Sequence, residues 1–138
     1  MSVKNTHTNI HTTYFVTTCP AFAGFTCFSW LHLIEMTDLY DVIYKGFNMM
    51  VGTGNKIFGY TIMPNHMHLL IYLNEDSTIN EVIKEFKRFR TYEIIKRLKK
   101  LNRINILQTL ETGVNCKQKQ KGAKHKVFEP ACRRQGFI

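Results

Sequence analysis

Two β-rich segments on either side of Pro64-Asn65 limit the folds open to this chain of 138 residues. Residues 56–63 (KIFGYTIM) and 66–73 (HMHLLIYL) consist mainly of β-branched, aromatic and other apolar side chains. The Pro-Asn pair between them is typical of a tight turn. The pattern therefore predicts an antiparallel β-hairpin.

The second strand of this hairpin has two different faces, because side chains alternate along a strand. Met67, Leu69 and Ile71 should point into the core. His66 and His68 should project together from the other face, about 7 Å apart along the strand. Two imidazoles so placed can share one divalent cation, but H-x-H spacing is more often incidental, and a complete site needs a third ligand. Spacing alone leaves both interpretations open.

The segments before the hairpin predict a strand and a helix. Residues 12–18 (TTYFVTT) are typical of a first strand, which the apolar residues at 22–33 can continue. Apolar residues then recur at helical spacing, which predicts an amphipathic helix that is capped by Thr37 or Asp38 and ends at Gly52.

The segments after the hairpin predict a long helix over 78–101, a polar basic loop over 115–124 and a last short strand over 126–130. The fold class is therefore α+β, with the ferredoxin-like order β-α-β-β-α-β and both helices on one face of an antiparallel sheet. We expect a flexible N-terminus (1–11), one domain (12–130) and a divergent tail (131–138).

The charge of the chain is distributed unevenly. Residues 1–83 carry a net charge of −3, whereas residues 84–138 carry +12. A basic half favours a polyphosphate partner, because Lys and Arg release counterions when they neutralise phosphates. The alternative is a basic surface that serves only solubility.

The composition favours a cytoplasmic protein without a membrane anchor. No stretch of about 18 apolar residues occurs, and the N-terminus lacks the apolar core of a signal peptide. The four cysteines form no CxxC pair, so we expect reduced thiols rather than a disulfide framework.

Residues 60–71 (YTIMPNHMHLLI) resemble the signature of the single-tyrosine HUH transposases, which are the insertion-sequence 200/605-type enzymes and their REP-associated relatives. HUH stands for histidine, bulky hydrophobe, histidine, which residues 66–68 satisfy. Residues 13–18, 25–35 and 125–130 (HKVFEP) are similar to other parts of the family, as are the EFKRF and EIIKRL stretches between them.

The resemblance implies a metal-dependent DNA transposase. His66 and His68 would hold Mg²⁺ or Mn²⁺, which polarises a phosphate of single-stranded or hairpin DNA while a tyrosine attacks it. The family includes dimers and monomers, so a homodimer stays open. The cations that would hold the DNA are Lys84, Lys87, Arg88 and Arg90, each of which could instead belong to a solvated helix face.

The nucleophile of the family has no counterpart in this sequence. In the family it lies beyond the Phe-Glu-Pro segment, together with the third metal ligand, but no tyrosine follows Tyr92 here. We therefore expect a truncated, cleavage-deficient member. Tyr92 is a weak substitute that we expect to pack against the apolar stripe of its helix, and Tyr72 shares the histidine face. The alternative function is a non-catalytic nucleic-acid-binding ferredoxin-like module, whose known RNA-binding form stacks bases on strand aromatics.

Overall fold

A computed structural model of the chain describes residues 21–130. The first strand predicted at 12–18, the N-terminus (1–11) and the tail (131–138) lie outside the described residues. The described strands are β1 (Ala21–Thr26), β2 (Lys56–Ile62) and β3 (His66–Tyr72). The described helices are α1 (Leu33–Met36), α2 (Tyr40–Gly52), α3 (Ile79–Lys100), α4 (Ile104–Thr112) and α5 (Cys116–Gln120).

The predicted hairpin is confirmed. Strands β2 and β3 pair antiparallel, and the Met63 amide donates to the carbonyl of His66 (2.8 Å) beside the Pro64-Asn65 turn. Strand β1 pairs antiparallel with the other edge of β3, which gives a three-stranded sheet in the order β1-β3-β2. The histidine strand is therefore the central strand of the described sheet.

The core lies on one face of this sheet, as the alternation of side chains predicts. Met67, Leu69 and Ile71 of β3 are buried. They pack with the buried face of β1 and with the apolar sides of α2 and α3. The core residues that these three neighbours contribute are Ala21, Ala23, Phe25, Ile43, Phe47, Met50, Ile79, Ile83, Phe86, Ile94 and Leu98.

The predicted last strand at 126–130 is present only as a single bridge. Cys27 pairs with Phe128, and two backbone hydrogen bonds of 2.8 Å flank this bridge. No longer ladder forms, because the backbone after Cys27 turns at Phe28–Trp30 and offers no extended strand to pair with. The described residues thus form an α+β fold with three strands, and their order does not by itself confirm the ferredoxin-like arrangement.

The cap of α2 differs from the prediction, and the short helices α1 and α5 were not predicted. Neither Thr37 nor Asp38 caps α2. The Thr37 hydroxyl instead donates to the Leu33 carbonyl (2.7 Å) and closes the unpredicted helix α1. Within the predicted basic loop, the structure forms the short helix α5, which begins with a capping box between Asn115 and Gln118.

Helix α3 agrees with its predicted bounds, and Thr78 caps it by accepting from the Glu81 amide (3.2 Å). Between residues 21 and 130, no helix is both long and apolar enough to cross a membrane.

Arg97 ties the end of α3 to the loop between α1 and α2. Its Nη1 donates to the backbone carbonyls of Thr37 (3.1 Å) and Asp38 (2.6 Å). Both carboxylate oxygens of Asp41 accept from the same guanidinium (3.0 and 3.1 Å), and Glu93 accepts from its Nε (2.9 Å). The hydrogen bond from Arg97 is the main reason that the pKa of Asp41 is lowered. One side chain thus joins two separate segments of the helical layer.

We predict that Arg97→Ala lowers the free energy of unfolding by about 1–2 kcal/mol at pH 7, because it removes several charge-assisted hydrogen bonds from a partly exposed side chain. Part of this stabilisation depends on ionised Asp41. That part is fully present above pKa 3.8, the value of Asp41 in the unfolded chain, and is lost as the pH falls through the lower pKa of Asp41 in the folded protein. Urea unfolding at pH 7 and near pH 3 measures both effects. As a control, Arg88→Ala removes the exposed pair with Glu85 and a contact with the Phe89 ring, both at the surface, and should change stability little.

Candidate metal and nucleic-acid site

His66 and His68 stand side by side on the face of the sheet away from the core, and their ring centroids are 5.3 Å apart. His66 is half-buried and His68 is exposed, while Met67 between them is buried. The structure therefore brings the two predicted metal ligands together.

Asn65 of the hairpin turn orients the His66 ring. Its Oδ1 lies 2.8 Å from His66 Nδ1, and its Nδ2 donates to the carbonyl of Trp30 (3.4 Å). Because a carboxamide oxygen only accepts, Nδ1 of His66 must carry the proton in this arrangement. The lone pair is then on Nε2, which is the atom left available to a metal.

His68 is held by strand β1. The ring of Phe22 stacks on it, with centroids 5.4 Å apart and planes 21° apart. Gly24 leaves room for the imidazole, since a Cβ at this position would lie only 3.3 Å from His68 Nδ1. Partial burial lowers the pKa of His68, and the neighbouring His66 lowers it further. Both effects favour the neutral imidazole, which is the form that binds metals.

The two imidazoles fit a divalent cation as part of a ligand set. Among the residues that the structure describes, no group of three or more His, Cys, Asp and Glu side chains is placed to hold a metal ion. Two protein ligands leave most coordination positions to water or to oxygens of a substrate. The pair is therefore suited to weak binding of a cation whose remaining coordination positions are filled by phosphate oxygens.

Exposed aromatic side chains lie near both ends of the histidine strand. Trp30 is 61% exposed and lies beside His66 with centroids 5.9 Å apart. At the other end of the strands, Phe58 and Tyr72 are exposed and contact each other. Alternation correctly placed Tyr72 on the histidine face. Trp30 was missed because a distant turn supplies it, and Phe58 because a register shift occurs at that point of β2.

The four cations predicted to hold DNA differ in their exposure to solvent. Lys84 and Arg88 lie exposed on α3, and Arg88 pairs with Glu85 (3.0 Å). Lys87 is largely buried with its Nζ 5.7 Å from the centre of the Phe25 ring, and this burial lowers its pKa.

The expectation that Arg90 lies on the exposed face of α3 is wrong. Arg90 is only 5% exposed, and its guanidinium lies 4.8 Å from the centre of the Phe86 ring. Helical spacing from Phe86 and Ile94 places it on the buried side. Gly46 of α2 permits this position, since a Cβ there would collide with the Arg90 guanidinium.

A second basic surface lies where α3 meets the segment after α5, and we call it the lysine groove. This groove of about 790 Å³ is lined by Tyr92, Lys96, Lys99, Lys121, Lys124 and His125, together with small and apolar side chains. Burial lowers the pKa of His125, and the charges of Lys99 and Lys124 lower it further against the opposing effect of Glu111. The sequence showed basic character here, but only the tertiary structure brings the two segments together.

Tyr92 lies at this groove rather than in the core. Its side chain is 62% exposed, which makes the expected packing role wrong. Position 92 falls between the buried residues Arg90 and Ile94, so the helical turn carries it to the outer side of α3.

The chain was compared with curated proteins and with models of protein families. No curated protein matches the chain. The family model described as transposase, IS200 like, matches residues 39–110, which is just over half of the chain and includes both histidines and their hairpin. With the histidine pair, its turn and the long basic helix all inside the matched region, the chain belongs to the IS200-like transposase family.

Proposed function

We propose that this chain binds single-stranded or hairpin DNA and holds a divalent cation on His66 and His68. The observation that carries the proposal is the pair of imidazoles, 5.3 Å apart on the open face of the sheet, in a family of transposases. When bound there, Mg²⁺ or Mn²⁺ would supply a Lewis acid for a phosphate oxygen.

Neighbouring residues hold the two imidazoles in their orientations. Asn65 fixes the His66 ring so that Nε2 is free. Phe22 and Gly24 fix the His68 ring against the sheet. Ligands held in place by neighbouring side chains lose less entropy when the metal binds, which supports a functional role for this part of the face.

We also propose that the described sheet belongs to the ferredoxin-like β-α-β-β-α-β arrangement. In chain order, β1, α2, β2, β3 and α3 follow this scheme, with the short helix α1 inserted before α2. The bridge between Cys27 and Phe128 lies beside β1, at the edge where the fourth strand would add.

The phosphate backbone of the DNA would lie against basic surfaces of the second half of the chain. The lysine groove concentrates four ammonium groups, and Glu111 Oε1 lies 3.6 Å from His125 Nε2 at its edge. Lys84 and Arg88 add exposed cations near the other end of α3. The chain leaves the groove at His125 and reaches the bridge at Phe128 within three residues, so the groove and the histidine end of the sheet are neighbours along the chain.

We predict that the protein binds Mn²⁺ weakly and that the double variant His66→Ala/His68→Ala abolishes this binding. The physical reason is that, within residues 21–130, these two imidazoles are the pair placed to donate to a shared cation on the open face. Electron paramagnetic resonance of free Mn²⁺ during a titration measures the effect. His125→Ala is the matched control and should bind like the wild type. Equal Mn²⁺ binding by the double variant and the wild type would contradict the metal site.

We predict a steep salt dependence of binding to single-stranded DNA. If about four to six cations contact phosphates, the slope of log K against log salt is roughly −3 to −4. The double variant Lys99→Glu/Lys124→Glu should weaken binding and reduce the steepness, whereas Lys45→Glu on the exposed side of α2 should have a smaller effect. Fluorescence anisotropy of a labelled oligonucleotide at several salt concentrations measures both. A slope near zero would exclude phosphate contacts.

We predict that the 138-residue polypeptide forms no covalent link to DNA. Among the described tyrosines, Tyr72 shares the histidine face but is about 13 Å from His68 along the strand. Tyr92 lies at the lysine groove. A nucleophile that is not positioned in line loses several orders of magnitude in rate. Incubation of labelled hairpin DNA with protein and Mn²⁺, followed by a denaturing gel, tests this. A slow band that resists SDS and disappears with protease would refute the prediction.

The second candidate function is a non-catalytic nucleic-acid-binding module. The exposed rings of Phe58 and Tyr72 on the sheet and of Trp30 in the turn beside it favour this function, because bases stack on such surfaces without a metal. The Mn²⁺ titration separates the two functions: DNA binding that persists while Mn²⁺ binding is absent would favour the module.

A further inference from the structure

Trp30 is the only tryptophan of the chain and one of its most exposed large apolar side chains. It is 61% exposed although an indole gains much from burial. Its ring meets the His66 ring at 72° with centroids 5.9 Å apart. A large aromatic surface is thus open to solvent directly beside one of the two proposed metal ligands.

The backbone that carries Trp30 is strained. Ser29 and Trp30 have φ values of 54° and 55°, in the left-handed region that side chains other than glycine rarely adopt. Consecutive residues in this region cost free energy and persist only where neighbouring groups hold them. These backbone angles turn the chain so that the indole lies exposed beside the sheet instead of in the core.

Backbone hydrogen bonds from Trp30 to Cys27 and from Leu31 to Phe28 close this turn, and two side chains hold it from outside. The Ser29 amide donates to Glu129 Oε2 (2.7 Å), and Asn65 Nδ2 donates to the Trp30 carbonyl (3.4 Å). The same Asn65 contacts Nδ1 of His66 through its Oδ1. One carboxamide therefore positions both the backbone of Trp30 and the ring of His66, so the indole and the imidazole are held relative to each other.

We propose that the exposed indole of Trp30 is a nucleobase-binding site, on which the base next to the phosphate at the histidine pair stacks. This inference rests on the proposed function, because it places single-stranded DNA at His66 and His68. Bases and phosphates alternate along a strand, so a phosphate at the imidazoles puts a neighbouring base within reach of a ring beside them. Every base has an aromatic face, so the site accepts a single strand without requiring one sequence.

Because Trp30 is the only tryptophan, its fluorescence reports directly on contact between the indole and a base. Titration of the full chain with an oligothymidylate of about ten nucleotides should quench the tryptophan fluorescence, since the stacked base contacts the fluorophore. A strand of the same length that carries abasic sites presents the same phosphates without bases. This abasic strand should bind more weakly and leave the fluorescence nearly unchanged at saturation.

Variants test the energetic role of the ring. Anisotropy of the labelled oligothymidylate should show that Trp30→Ala loses roughly 5- to 100-fold in affinity, while Trp30→Phe keeps most of it. Tyr44→Ala removes a comparably exposed aromatic ring from α2, on the helix side of the sheet, and should not change affinity. Mn²⁺ binding should stay intact in Trp30→Phe, and circular dichroism shows whether each variant is folded.

The outcomes separate this inference from the proposed function. If the oligothymidylate binds the wild type without quenching, and Trp30→Phe and Trp30→Ala bind equally well, the base site is refuted while DNA binding stands. Equal quenching by the abasic strand also refutes stacking. If the wild type binds no oligothymidylate at low salt, the proposed function and the base site both fail.

Discussion

The alternation of buried and exposed side chains along β3 is the constraint on which the rest of the structure depends. Met67, Leu69 and Ile71 are almost fully buried, and β3 pairs with a strand on each side. A slip of one residue would expose all three and place both histidines in the core, at a cost of roughly 5–9 kcal/mol for the apolar side chains alone. Burial on one face therefore sets the position of the imidazoles on the other.

The helical layer brings the second half of the chain back to the histidine end of the sheet. Helix α3 starts after the far end of β3 and runs back beside the core, where Arg97 joins it to the loop before α2. The chain then returns through the lysine groove to the edge of β1. The basic groove and the histidine end of the sheet are thus joined by only a few residues of the chain.

The open face of the sheet carries the histidine pair, and exposed aromatic rings lie near both ends of the histidine strand. In the function proposed above, the imidazoles would hold a cation that contacts the phosphates, and the exposed rings would stack on the bases. Asn65 connects the two, because its single side chain contacts both His66 and the backbone of Trp30. Both proposed roles agree with membership of the IS200-like transposase family.

Local patterns in the sequence determined the hairpin, the shared face of His66 and His68, and the bounds of α3, because alternation, turn residues and helix caps act between near neighbours. The tertiary structure alone decided the remainder. Arg90 is buried because Gly46 on another helix makes room for it, and Trp30 reaches His66 through a strained turn that a side chain about a hundred residues away helps to hold. The last predicted strand is reduced to one bridge because β1 ends in that turn. Such contacts join residues far apart in sequence, so no local pattern records them.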